Sequence, residues 1–281
     1  MVARLLVVSD THLAPGHGTA QRNWDAVVAS VADSDADVVV HLGDLTVDGA
    51  NRPEELEYAR AELDRLGRPC FVVPGNHDIG DNPVAGAPSG ETVIDDERRR
   101  RWLDTFGLDW WRLDLDHWTL LALDAQLFGS GLAAEAVQWS WLAAQVSDVA
   151  DGQFLGLVVH KPLLGTEAEL ATAPSYRFVA PGPRGRLLDA LQGRSPQLIL
   201  SGHVHQHRIL DLHGIRHVWA PTTWATLPDK TQPRYGFKCC GHLRLALDSG
   251  PVASIDLVVA PGVNQQVIGD TVASPSPAPN R

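Results

Sequence analysis

Short β-branched runs that stop abruptly at aspartate, asparagine or histidine are what most restrict the folds open to this 281-residue chain. Residues 5–9 run into Asp10-Thr11-His12, residues 37–42 into Gly43-Asp44, and residues 70–73 into Pro74-Gly75-Asn76-His77-Asp78. Further on, residues 154–159 run into His160-Lys161-Pro162, and residues 197–200 into Ser201-Gly202-His203-Val204-His205. Apolar runs of this length bounded by turn residues read as buried strands. Between the first three, Trp24, Val27, Val28 and Val31 recur at helical spacing. Pro53 then opens a helix with Leu56, Ala59, Leu63 and Leu66 on one face, closed by Gly67. Such alternation implies parallel strands with right-handed crossovers, whose polar carboxyl ends line up along one sheet edge.

After residue 110 the pattern becomes more meandering. Residues 111–115 and 118–123 read as a hairpin around Asp116-His117, and residues 208–212 and 215–219 as another around His213-Gly214; strands follow near 237–247 and 252–259. Residues 133–146 read as a helix with Val137, Trp141, Leu142 and Ala144 toward its buried side. The arginine run 98–101, preceded by acids, reads as a solvated helix face in preference to a phosphate clamp. Residues 79–95 are a long polar loop, and residues 165–185, rich in Ala, Gly and Pro, are a candidate lid. No linker separates two hydrophobic cores, so residues 1–262 read as one domain and residues 263–281 as a flexible tail.

A formal charge of −11 disfavours non-specific binding to nucleic acid or anionic membranes, which both need a cationic face. A small anionic substrate remains open if metal ions supply local positive charge. Cys70, Cys239 and Cys240 form an odd set without zinc-like spacing, which fits a reducing compartment. Residues 1–4 lead straight into a strand without the features of an export signal, and no apolar run approaches the ~20 residues of a membrane span. A cytoplasmic protein is the expectation.

In an extended segment residues i and i+2 share a face, so Asp10 with His12, and His203 with His205, are each aimed one way. Gly75 is expected to take a conformation closed to residues with a Cβ and so to aim the side chains that follow it. Taken singly, each motif also reads as a strand end with a polar turn. Together the strand ends supply Asp10, His12, Asp44, Asn76, His160, His203 and His205, all oxygen or imidazole donors, a set suited to Mn, Fe or Zn. His41, inside an apolar strand, reads as a hydrogen-bonded core residue, while His207 continues the alternation of His203 and His205 without a motif of its own.

The ordered series D-x-H, G-D, G-N-H-D, H and G-H-x-H, from residue 10 to residue 205, resembles the calcineurin-like metallophosphoesterases, in particular their cyclic-nucleotide phosphodiesterase-like bacterial branch. The resemblance implies a four-layer α/β/β/α sandwich of two mixed sheets with helices outside. It also implies two divalent or trivalent metal ions, one held by Asp10, His12, Asp44 and His205 and the other by Asp44, Asn76, His160 and His203. In that family a hydroxide on the metals attacks a phosphoester. By the same resemblance His77 faces the substrate and supports the leaving oxygen, with Asp78 orienting it. The chain departs from many such relatives at Lys161, where they carry a second histidine, which puts a cyclic-nucleotide substrate in doubt. A small phosphoester is the expected partner, and with no evident arginine clamp for a dianion a diester is favoured over a monoester. The competing classes are a non-catalytic interaction module on the same fold and a nuclease.

Overall fold

The computed structural model describes residues 2–83, 92–163, 175–191, 193–251 and 254–269. Strands β1 (Ala3–Val8), β2 (Val38–His41) and β3 (Cys70–Val72) run parallel, with β10 (His242–Leu247) and β11 (Ser254–Val258) added antiparallel, in the order β11-β10-β1-β2-β3. A second sheet has the order β4-β5-β6-β7-β9-β8, from β4 (Trp111–Asp114), β5 (Trp118–Leu123), β6 (Phe154–Val159), β7 (Leu198–Ser201), β8 (Arg208–Leu212) and β9 (Ile215–Trp219). Both sheets are mixed. The 208–219 hairpin joins the sheet through its second strand, because β9 pairs in parallel with β7.

Alternation along each strand builds the layers. Leu5, Val7, Val38 and Val40 point inward with Leu120, Ala122, Val158 and Leu200 of the other sheet, forming the core between sheets. Leu6, Val8 and Val39 point outward onto helices α1 (Gly18–Ala32), α2 (Pro53–Asp64) and α4 (Asp96–Phe106), through Trp24, Val27, Leu56, Leu63 and Trp102. On the other side Leu121, Leu157 and Ile199 pack on α5 (Ala133–Asp148) and α6 (Pro181–Ala190). The result is the expected α/β/β/α sandwich.

Helix α5 is rotated from its expected face: Gln138, Trp139, Leu142 and Val146 are buried, whereas Val137 is 58% exposed. The amide of Gln138 decides this, since it exchanges hydrogen bonds with the main chain of Asp124 at 2.7 and 3.0 Å and is thereby drawn inward. The arginine run on α4 is taken up by ion pairs, with Arg98 to Arg101 paired to Asp95, Asp109, Asp104 and Glu97 respectively; Arg100 is on the solvated face expected, whereas Arg99 reaches inward to buried Asp109. No helix among the described residues is long and apolar enough to cross a membrane.

The segment 263–269, read from sequence as the start of a tail, is tied down. Buried Asn23 on α1 donates to the carbonyls of Thr223, Trp224 and Asn264 at 2.9–3.1 Å and accepts from the Asn264 amide at 2.8 Å. Thr226 and residues 266 and 268 exchange main-chain bonds at 2.8 Å. Residues 270–281 lie outside the described residues. Removing the Asn23 amide strands several buried carbonyls, so Asn23→Ala is expected to destabilise the fold by about 1–3 kcal/mol, measured as a lower urea midpoint. An unchanged midpoint would mean that water replaces these bonds at no cost.

Candidate metal centre

The strand ends converge, but not in extended conformation. Asp10, His12, Asp44, His203 and His205 have φ of 53°, 46°, 55°, 66° and 52°, in the left-handed region that non-glycine residues rarely enter. Among the described residues the one other non-glycine case is His213, in a hairpin turn. The expectation that D-x-H and H-x-H aim their side chains by strand alternation is therefore corrected: β1 ends at Val8 and β7 at Ser201, and left-handed turns beyond them do the aiming. Each such residue costs on the order of 1–3 kcal/mol, which the surroundings must offset. A main-chain zipper does so, with the Asp10, His12 and Leu13 amides donating to the carbonyls of Gly43, Asp44 and Leu45 at 3.0, 3.1 and 2.6 Å.

Gly75 is also needed for a different reason than expected. Its φ of −107° is open to any residue, but a Cβ there would lie 2.2 Å from Asp44 Oδ1 and 2.3 Å from the Asp44 amide. The turn after it forms a one-turn helix, α3 (Asn76–Ile79). Gly202 is comparable, since a Cβ would meet Ser9 Oγ at 1.9 Å.

Two groups of donors result, sharing Asp44. Ligand atoms of Asp10, His12, Asp44 and His205 lie within 4.8 Å of one another, as do those of Asp44, His160 and His203. All are buried except His203, which is partly so. His160 donates from Nδ1 to the Leu42 carbonyl at 2.7 Å, and His205 from Nδ1 to the Ala225 carbonyl at 2.6 Å, which leaves each Nε2 as the atom that meets a proton or a cation. His160 Nε2 then faces Asp44 Oδ2 and Asn76 Oδ1, both at 3.3 Å. His205 Nε2 faces Asp10 Oδ1 at 3.4 Å and His12 Nε2 at 3.2 Å. The Nδ1 of His203 is buried with no hydrogen-bond partner. Lone pairs crowded against lone pairs repel unless a proton or a cation lies among them, so this donor set fits metal ions.

The electrostatics agree. Burial opposes charge on His160, yet the Asp44 carboxylate raises its pKa to about 9, so that without a metal ion Nε2 carries a proton toward Asp44 Oδ2, in the place a bound cation would take. Burial would raise Asp44, but His160 and His77 hold it well below the ordinary carboxylate range. His12 and His203 are pushed well down, first by burial and then by neighbouring imidazoles, and stay neutral as ligands must.

Asp78 does not orient His77, as the resemblance implied. Its carboxylate accepts from the amides of Gly75, Leu45 and Thr46 at 2.8, 3.2 and 2.9 Å and from Thr46 Oγ1 at 2.8 Å, clamping the Asp44 loop to the Asn76 turn. The orienting acceptor for His77 is the Val47 carbonyl, 2.6 Å from Nδ1. His41 is the core residue expected, with Nδ1 accepting from the Gly43 amide and Nε2 beside Thr11 Oγ1, both at 3.1 Å. Burial lowers its pKa to about 3. His207 stays out of the cluster, its Nδ1 donating to Trp219. Lys161 is fully buried, pairs with Asp81 and bonds Asn82 at 2.6 Å. The Gln126 amide lies between Asp81 and the Asn76 main chain, and turned so that its nitrogen meets the carboxylate it donates to Asp81 at 2.9 Å and accepts from the Asn76 amide at 3.2 Å.

The cluster opens into a cavity of about 320 Å³. Sequence reasoning missed Trp224, Tyr176 and Arg177 on its wall. Trp224 follows β9 with no motif, its ring 4.9 Å from that of His12. Tyr176 and Arg177 fall in the segment named as a lid, of which residues 165–174 lie outside the described residues, as do residues 84–91 of the polar loop. Because a Cβ at residue 75 collides with Asp44, Gly75→Ala is expected to lower Mn²⁺ affinity about tenfold or more in calorimetry. Gly185→Ala on α6, where a Cβ meets nothing within 4 Å and the backbone is helical, should leave that affinity unchanged. Equal affinities in both would show that Asp44 is not held by this packing.

A family model described as calcineurin-like phosphoesterase matches residues 3–207. The chain is 26% identical over 232 residues to the 3′,5′-cyclic adenosine monophosphate phosphodiesterase CpdA of Escherichia coli, covering 78% of this chain and 76% of that protein. It is 28% identical over 216 residues to the glycerophosphodiester phosphodiesterase GpdQ of Enterobacter lignolyticus, covering 71% and 68%. A dimetal phosphatase structure from Danio rerio has a TM-score of 0.59 at 15% identity, covering 90% of this chain and 98% of that one. The purple acid phosphatase PPD1 from yellow lupin has a TM-score of 0.60 at 15% identity over 92% of this chain, which spans about half (51%) of the lupin protein. Those two structures bear on the fold, and the family model spans every strand end that feeds the Asp/His cluster: the chain belongs to the calcineurin-like phosphoesterase family.

Proposed function

We propose that this protein hydrolyses small phosphodiesters at a two-cation centre, with Asp10, His12, Asp44 and His205 holding one ion and Asp44, Asn76, His160 and His203 the other. The observation that carries the reading is the sharing of Asp44 by two buried donor groups whose lone pairs face one another. Ions held there supply positive charge to the phosphoryl oxygens and acidify water, the chemistry that di-cation hydrolases use. The donors are oxygen and nitrogen only, which supports Mn, Fe or Zn. The diester assignment now rests on the relatives' activities, because Arg177 in the cavity removes the argument from a missing arginine.

His77 is the group for the leaving oxygen. It lines the cavity, and with Nδ1–H given to Val47 its Nε2 has no protein hydrogen-bond partner among the described residues. Surrounding protein works against its charge, but Asp44, the Val47 carbonyl and Asp78 together raise its pKa above the ordinary value. The protonated ring can therefore donate Nε2–H to a departing alkoxide, and that capacity is lost as pH rises through the raised pKa. The fold unit we assign is residues 1–262 extended through 269, since Ile268 lines the cavity. A cavity this small and a charge of −11 support a small substrate in preference to nucleic acid. The three cysteines are free thiols, which supports a reducing, cytoplasmic setting.

Asp44→Asn is expected to weaken both metal sites in elemental analysis; retention of two ions with full activity would refute the sharing. His77→Ala should keep its metal and lose ~10²–10⁴-fold in turnover of an alkyl diester, with a smaller loss for a nitrophenyl diester, whose leaving group needs little protonation. The high-pH decline seen with alkyl diesters should vanish in the same variant. Equal losses for both leaving groups would remove the proton-donor role.

A further inference from the structure

Arg177 is 6% exposed and lines the cavity, yet its Nε and Nη1 are buried with no hydrogen-bond partner. Nη2 donates to the Thr231 carbonyl at 2.8 Å, and the guanidinium lies 5.5 Å from the Tyr176 ring centroid. No ion pair is made by Arg177 among the described residues. Arg99, by contrast, forks onto Asp109 through two bonds at 2.6 and 3.1 Å. A guanidinium held out of water without a counter-charge is unfavourable, and an arriving anion relieves the cost.

Its mooring is rigid. The neighbouring Val179 amide bonds the Pro162 carbonyl at 2.9 Å, and Phe178 packs against Val204 and Trp219. Thr231 stands beside Gln232, a buried residue that also lines the cavity and is held by Gln206 at 2.8 Å. Arg177 is thus fixed on a wall built from Tyr176, Leu227 and Gln232. Its contacts are to Thr231 and Tyr176, with no hydrogen bond to the Asp/His cluster, where bound cations and His77 would serve the scissile phosphoryl group.

We propose that Arg177 recognises a second anionic group on the substrate, a carboxylate or phosphate carried on the alcohol side of the diester, so that the preferred substrates are diesters bearing an additional negative charge. This deepens the phosphodiesterase reading and rests on it for the location of the scissile group. In a chain of net charge −11, a buried cation in the cavity is what makes such a polyanion acceptable. A charge-assisted hydrogen bond of this kind corresponds to about 10- to 100-fold in affinity.

The test is calorimetric binding of matched phosphonates to the Mn²⁺-loaded full chain: alkylphosphonates against their ω-carboxylated counterparts at three, four and five carbons. The C–P bond keeps the measurement independent of catalysis. Wild type should favour the carboxylated member at one length or more by about tenfold or more. Arg177→Gln should bring that ratio close to one, and Arg177→Lys, which keeps the charge, should retain part of it. The proposal is overturned if no length shows a preference in wild type, or if the preference survives in Arg177→Gln. Hydrolysis of bis(4-nitrophenyl) phosphate by the same preparation reports separately on the phosphodiesterase reading, so failure of one is not mistaken for failure of the other.

Discussion

The carboxylate of Asp44 is the contact on which the site depends. Its Oδ1 accepts from the His77 amide at 2.9 Å, its Oδ2 faces His160 at 3.3 Å, and its own carbonyl accepts from the His12 amide at 3.1 Å. One residue in the turn just beyond β2 therefore links the loops that follow β1, β3 and, across the sandwich, β6. Such a charge is tolerable in the interior because imidazoles surround it on two sides, and because Asp78 holds the adjoining loop by its main chain. The two sheets meet at their carboxyl ends around this group, and the core of valine and leucine beneath keeps them in register.

That arrangement is made at a cost to stability. Five left-handed non-glycine residues, buried lone pairs facing lone pairs, and the orphan Nδ1 of His203 are all features that a sequence selected for stability alone would lack. The offset comes from elsewhere: continuous apolar layers on both faces of each sheet, and main-chain zippering of the very loops that carry the strained residues. Glycines at 75 and 202 let the loops approach to distances no Cβ would allow. Cations that bind only the folded form add to its stability by mass action.

Much of this was legible in the residues. The strand-length runs and their polar ends located β1, β2, β3, β6 and β7, and the seven donors they supply are brought together in space. What the sequence could not disclose was how the donors are aimed, since period-two alternation describes strands and Asp10, His12, His203 and His205 lie just beyond them in turns. The face of α5 was misjudged because hydropathy ranks Val137 above Gln138, whereas a paired amide at Asp124 outweighs one exposed valine. The role given to Asp78 failed for a related reason: adjacency to His77 in sequence says nothing about which amides a buried carboxylate will collect. Arg177 and Trp224 carry no local motif, and only the folding of distant segments onto one cavity brings them to the site.

Anomalous scattering from crystals grown with Mn²⁺ bears most directly on the two-cation centre. Two peaks are expected, one among Asp10, His12 and His205 and one among Asn76, His160 and His203, with the Asp44 carboxylate between them. A single peak, or peaks that leave Asp44 uncoordinated by either ion, would contradict it.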